Sequence, residues 1–153
     1  MRKSEFERIV DKTFWSLEAK HGFKKTETTY HTGGVIVRFQ NTTTEVVINY
    51  EIGTFPWVTF ADIKNPEADK SSLDWLLVEL GEKDSPTTDE AFLPAKMDEG
   101  KLEGELQKKS DQLFKFGADF LTGDFTLLPK LQKRAETYLA ECKKFAEQKK
   151  PKS

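Results

Sequence analysis

From Phe23 to Ile63 the chain alternates apolar and polar residues with a period of two, in four runs separated only by turns, and this pattern constrains the fold most. A parallel connection needs a crossover of a dozen or more residues, so neighbouring runs must pair antiparallel. The first run is polar, rich in Thr26, Thr28, Thr29 and Tyr30, and breaks at the turn His31-Thr32-Gly33-Gly34. In the second, Val35, Val37 and Phe39 alternate with Ile36, Arg38 and Gln40. After a turn at Asn41 to Thr44, Val46, Ile48 and Tyr50 alternate with Val47, Asn49 and Glu51. Phe55-Pro56-Trp57 interrupts the pattern before Val58 to Ile63 resumes it, and Asn65-Pro66 is expected to end the sheet.

Helical spacing brackets this meander. Phe6, Ile9, Val10, Phe14 and Leu17 predict one helix over about residues 5–20, opened by a Ser4/Glu7 capping box and stopped by Gly22. Ser71 or Ser72 is expected to cap a short helix carrying Leu73, Trp75, Leu76, Leu77 and Leu80. Glu82 to Lys96 reads as a long loop. Leu102, Leu106, Leu113, Phe114, Phe116, Phe120 and Leu121 predict a long helix ending at Gly123. Leu127, Leu128, Leu131, Ala135, Tyr138, Leu139, Cys142 and Phe145 predict another, and the two should form a helical hairpin. The expected class is therefore α+β: an antiparallel four-stranded meander preceded by one helix and followed by three, with the helices packed on one face. At 153 residues a single domain over 1–153 is expected, with a tail that frays from about residue 147.

Composition excludes several classes of function. With 24 Lys/Arg against 26 Asp/Glu, the chain lacks the basic excess that drives counterion release, so no nucleic-acid partner is expected. No apolar run approaches the roughly 20 residues of a membrane span, and no apolar segment follows the first basic residues as in a secretory signal. A soluble cytoplasmic protein is the expectation, which the single cysteine, unable to form an internal disulfide, fits.

Charge is uneven along the chain. Residues 65–104 hold four Lys/Arg against eleven Asp/Glu, a net of −7, whereas residues 105–153 hold eleven against seven, a net of +4. An acidic surface of this kind can steer a basic partner. Phe55, Trp57 and Phe92 fall in or beside the acidic stretch, as Asp84, Asp89 and Glu90 do, and these six are the candidate partner-binding residues.

Other chemistry is weaker. His21 and His31 have no second metal-type ligand at a recognised spacing, and His21 reads as a helix C-terminal cation. Trp75 and Cys142 read as core residues, and of the adjacent Phe14 and Trp15 one must lean away from the buried stripe. Gly33-Gly34 joins two strands rather than opening a helix, so it is a hairpin turn and not a phosphate loop. Arg38, Glu51 and Asp62 could form a polar trio on the open face, as an acid/base pair with an anion clamp or as ordinary cross-strand ion pairs. No catalytic residue, metal or cofactor is assigned.

Gly22-Phe23-Lys24-Lys25 leading into the threonine-rich strand, together with Phe116-Gly117-Ala118-Asp119-Phe120-Leu121-Thr122-Gly123-Asp124-Phe125, resembles small bacterial proteins of unknown function, some of which are similar to immunity proteins of polymorphic toxin systems. The resemblance implies a fold and a binding role but no active site. The expected function is a non-enzymatic binding protein of the immunity or inhibitor type, monomer or homodimer, that covers a basic partner protein. The alternatives are a secretion-chaperone-like adaptor, or a small-ligand-binding protein or enzyme with a pocket between sheet and helices.

Overall fold

The alternating runs become strands β1 (Lys24–His31), β2 (Gly34–Gln40), β3 (Thr44–Glu51) and β4 (Trp57–Asp62) in a computed structural model that describes residues 3–51, 55–86 and 99–148. They pair antiparallel in sequence order, and a fifth strand, β5 (Lys70–Ser72), joins the edge beside β4. The sheet thus has five strands where the alternation predicts four, because three residues are too few to display a period. Among the described residues two helices precede the sheet, α1 (Lys3–Thr13) and α2 (Trp15–His21). Four follow it: α3 (Leu73–Glu79), α4 (Glu99–Phe116), α5 (Ala118–Leu121) and α6 (Leu128–Gln148).

The single N-terminal helix expected from the spacing is broken at Thr13. Its hydroxyl donates back to the Ile9 carbonyl at 2.8 Å, a local bond that competes with the helical ladder and bends it. The break lets Phe14 and Leu17 both reach the core while Trp15 stands 57% exposed with the Lys20 ammonium 5.9 Å from its ring. The expected capping box also gives way. Glu7 accepts from Lys25 at 3.1 Å and from Tyr30 at 2.9 Å, fastening α1 to β1.

The inward face of the sheet follows the alternation. Val35, Val37, Phe39, Val46, Ile48, Tyr50, Val58 and Phe60 are buried against Phe6, Ile9, Phe14, Leu76, Leu106, Leu113 and Phe120. Tyr50 stacks on Phe6, and Phe60 stacks on Phe120 at 4.3 Å between ring centres. Gly34 follows Gly33 because a Cβ there would lie 2.5 Å from the His31 ring and 2.6 Å from the Tyr50 carbonyl.

The expected helical hairpin is not formed. The long helix stops at Gly117, where a Cβ would come within 2.8 Å of the Leu113 carbonyl, and α5 starts separately. Helix α4 packs on α1 and α3, whereas α6 packs on α3 and on the β5 edge. Gln132 donates to the carbonyls of Ala68 and Lys70, which seats α6 beside the strand edge. Trp75 is correspondingly half-buried rather than core, standing edge-on to Tyr138. Cys142 is exposed, not buried, because α6 runs on past the body of the domain.

The β2–β3 turn is the junction of these layers. Asn41 accepts from the Thr43 and Thr44 amides through Oδ1, and donates through Nδ2 to the carbonyls of His21 and Leu121, both 3.1 Å away. Those carbonyls end α2 and α5, where helices leave acceptors without an internal partner. Thr44 adds a 2.6 Å bond to the Phe120 carbonyl, and Gly123 sits where a Cβ would meet Thr43 at 2.9 Å.

Two predictions follow from this packing. Asn41→Ala removes five side-chain hydrogen bonds, each worth about 0.5–1 kcal/mol net, so a loss of about 3–5 kcal/mol is expected. Asn41→Asp, which turns a carboxylate toward two carbonyls, should cost at least as much; urea denaturation with an unchanged m value checks both. Lys109 on α4 is 8% exposed, and burial lowers its ammonium pKa against the attraction of Asp74 and Glu105. Its folded pKa lies below the ordinary 10.5, so the folded state disfavours the bound proton near neutrality, and that penalty fades as the pH rises through the interval between the two values. Lys109→Met is therefore expected to melt higher than the wild type at neutral pH, by a margin that shrinks as the pH is raised.

Candidate functional site

With the helices on the inward face, the outward face of the sheet carries Glu27, Ile36, Arg38, Gln40, Glu45, Val47, Asn49, Trp57, Thr59 and Ala61. A hollow of about 250 Å³ opens there. Val47, Asn49, Thr59 and Ala61 are among its lining residues, as are Trp57, Arg38 and Glu45, and Pro66, Glu67 and Lys70 complete its rim beside β5.

Register explains the charges of this face. Gln40 lies opposite Glu45, and Arg38 opposite Val47. Glu45 accepts from Gln40 at 2.6 Å and from Arg38 at 3.2 Å, and Arg38 also reaches Glu27 at 3.7 Å. Glu45 is only 7% exposed, so these donors compensate a carboxylate taken largely out of water. The expected trio of Arg38, Glu51 and Asp62 is not assembled. Glu51 lies opposite Gly34 at one end of β3, Asp62 opposite Thr44 at the other, and Arg38 between them. Asp62 instead accepts from the Lys64 amide in the turn after β4.

Trp57 and Asn49, cross-strand partners, carry no side-chain hydrogen bond to another described residue and leave an indole N–H and a carboxamide at the hollow. Phe55 is half-buried and packs against the core.

A second concavity lies between α3 and α6. It measures about 590 Å³ and takes Trp75, Val78, Asp84, Pro86, Lys133 and Tyr138 among its lining residues. Lys130 and Arg134, which also line it, both donate to Glu79, Lys130 at 2.7 Å. The Lys130 hydrogen bond first, and Arg134 after it, holds the Glu79 carboxyl below its ordinary pKa.

Of the six candidate partner-binding residues, Trp57 lines the sheet hollow and Asp84 the α3–α6 cleft, so these two serve different surfaces. Asp89, Glu90 and Phe92 lie outside the described residues. Much of the acidic run is answered by cations of the same chain. Glu99 meets Arg8, Glu103 meets Lys12, Asp74 meets Lys83, and Glu79 meets Lys130 and Arg134. His21 stacks on Phe114, and burial, then Lys20, lowers its pKa, so it rests as a neutral ring rather than as a helix-end cation.

Sequence reasoning missed Glu45, Asn49 and Lys70. The signal for Glu45 was present: folding the hairpin about Asn41–Thr43 brings Gln40 opposite it. Lys70 carries no such signal, since β5 has no period. Among the described residues no helix is long and apolar enough to cross a membrane, and no three His, Cys, Asp or Glu gather as a metal site. Comparison with protein-family models, curated proteins and solved structures finds no match for this chain.

The Arg38–Glu45 pair yields a test. Arg38→Met strands a mostly buried carboxylate and should cost about 2 kcal/mol, while adding Glu45→Leu should return stability to within about 1 kcal/mol of wild type. Chemical denaturation of the two single variants and the double variant closes the cycle.

Proposed function

We propose that this chain is a non-enzymatic binding protein of the inhibitor type, which covers a basic partner protein with the open face of its sheet. The observation that carries the reading is Trp57, half-buried at a hollow in the one sheet face that the helices leave open, with its indole N–H and the Asn49 amide lacking side-chain hydrogen bonds to the described residues. Tryptophan buries a large area at low rotamer cost and is enriched among the residues that dominate interface energies.

Charge supports a basic partner. Glu27, Glu45, Glu51 and Glu67 on this face and its rim stand against Lys24, Arg38 and Lys70. The excess is modest, so its expected effect falls on the association rate and the salt dependence more than on the dissociation rate.

The partner is to be captured from a lysate of the source organism at low and at high salt, with its mass and stoichiometry determined. A basic protein is expected, bound about tenfold more weakly by Trp57→Ala. It should also associate more slowly, at low salt, with the double variant Glu27→Lys/Glu67→Lys. A partner bound equally well by both variants removes the sheet face from the interface.

A further inference from the structure

Residues 116–125 carry two Asp-Phe pairs, Asp119-Phe120 and Asp124-Phe125, each behind a glycine. Gly117 separates α4 from α5, and Gly123, at φ 92°, turns the chain out of α5. The Asp124 amide then donates to the Asp119 carbonyl at 2.9 Å, a closure of the Schellman kind that brings both aspartates to one concavity. Phe120 meanwhile stacks on Phe60, and Phe125 tilts against Phe120.

The concavity lies where α3, α4 and α5 end and α6 begins, and measures about 400 Å³, a volume in the range of small-ligand sites. Leu76, Leu80, Phe116, Phe120 and Leu127 wall it, and Leu80 is left 45% exposed. Asp119 and Asp124 stand exposed at its rim. Among the described residues no Lys or Arg lines it, whereas cations line both the sheet hollow and the α3–α6 cleft. Lys115, whose ammonium lies 5.1 Å from the centre of the Phe116 ring, pairs with neither aspartate.

We propose that this concavity binds a small organic cation, a primary ammonium on an apolar body, with the body against Leu76, Leu80 and Phe120 and the ammonium between the two aspartates. Apolar walls alone accept any apolar group, and the two carboxylates select the charge of its head. Asp124 accepts from the Thr126 hydroxyl at 2.6 Å and from its amide at 3.0 Å, both at Oδ1. These bonds serve the turn into α6, hold the carboxyl below its ordinary pKa, and leave Oδ2 for a ligand. The Asp119 carboxylate has no hydrogen bond or ion pair with a described residue. An ammonium supplies three donors from one compact head, enough to bond both groups at once. The last turn of α4 adds partial negative charge at the same place, while Asp124 Oδ1 offsets the positive start of α6.

Titration of the full chain with three probes that share a phenyl body tests this, read by amide chemical shifts. The probes are 2-phenylethylammonium, 2-phenylethanol and 3-phenylpropionate. The ammonium is expected to saturate shifts across residues 116–127 with a Kd of about 1 mM. It should bind about fivefold more tightly than the alcohol and at least tenfold more tightly than the carboxylate. Asp119→Asn should weaken the ammonium about threefold and leave the alcohol unchanged. Leu80→Arg, which brings a guanidinium to the aspartates from an exposed position, should abolish binding of the ammonium with an unchanged circular dichroism spectrum.

Equal binding of the three probes, a preference for the carboxylate, shifts that saturate elsewhere in the chain, or no saturation by ~10 mM ammonium overturns the proposal. So does an Asp119→Asn variant that keeps the full preference for the ammonium. The concavity shares no residue with Trp57 or Asn49, so failure here leaves the sheet-face reading standing, and the reverse is also true.

Discussion

The layers of this protein meet at the side chain of Asn41. A hairpin turn needs its amides satisfied, and two helices ending nearby leave carbonyls that need donors; one carboxamide, with an acceptor on one side and donors on the other, answers both. The junction ties residues that are 80 positions apart, so the C-terminal helices dock where the β2–β3 turn allows. Thr44 and Gly123 hold the same corner, one by a hydrogen bond to the Phe120 carbonyl and the other by having no side chain. The stack of Phe120 on Phe60 then follows from that corner, since Phe120 belongs to the element whose end Asn41 holds.

The charge segregation along the chain has a structural outcome. Read as a string, an acidic third precedes a basic one. Folded, Glu99 and Glu103 join α4 to Arg8 and Lys12 of α1, Asp74 meets Lys83 of the same acidic block, and Glu79 meets Lys130 and Arg134 of the basic one, so the acidic block is answered from three parts of the chain. Exposed pairs of this kind add little stability each, but they orient helices whose apolar contacts do the stabilising. The open sheet face keeps its acidity because its carboxylates outnumber the cations beside them.

How much of this was legible depends on the range of the interaction. Period-two alternation gave the order, the direction and the inward face of β1 to β4, because side-chain alternation is a local property of a strand. Ser72, expected as one of two candidate caps, does accept from the Trp75 amide. What local pattern did not contain was partnership. The Thr13 break depends on a hydroxyl choosing the Ile9 carbonyl, β5 exists only because β4 offers an edge, and α6 chooses α3 and β5 over α4. The polar trio failed for a related reason: Glu51 and Asp62 lie at opposite ends of β3, which only the register reveals. An apolar stripe likewise announced that Cys142 would be covered without saying by what, and the domain ends before reaching it.

The distribution of aromatic residues has an optical consequence. Among the described residues the buried rings are Phe6, Phe14, Phe23, Phe39, Phe60, Phe120 and Tyr50, whereas the three tryptophans stand outside the core at three separate places. Trp15 caps the bend between α1 and α2, Trp57 faces the sheet hollow, and Trp75 walls the α3–α6 cleft. Intrinsic fluorescence of this protein therefore reports on its surfaces and says little about its interior. A variant retaining one indole at a time would give each surface its own emission signal, free of interference from the core.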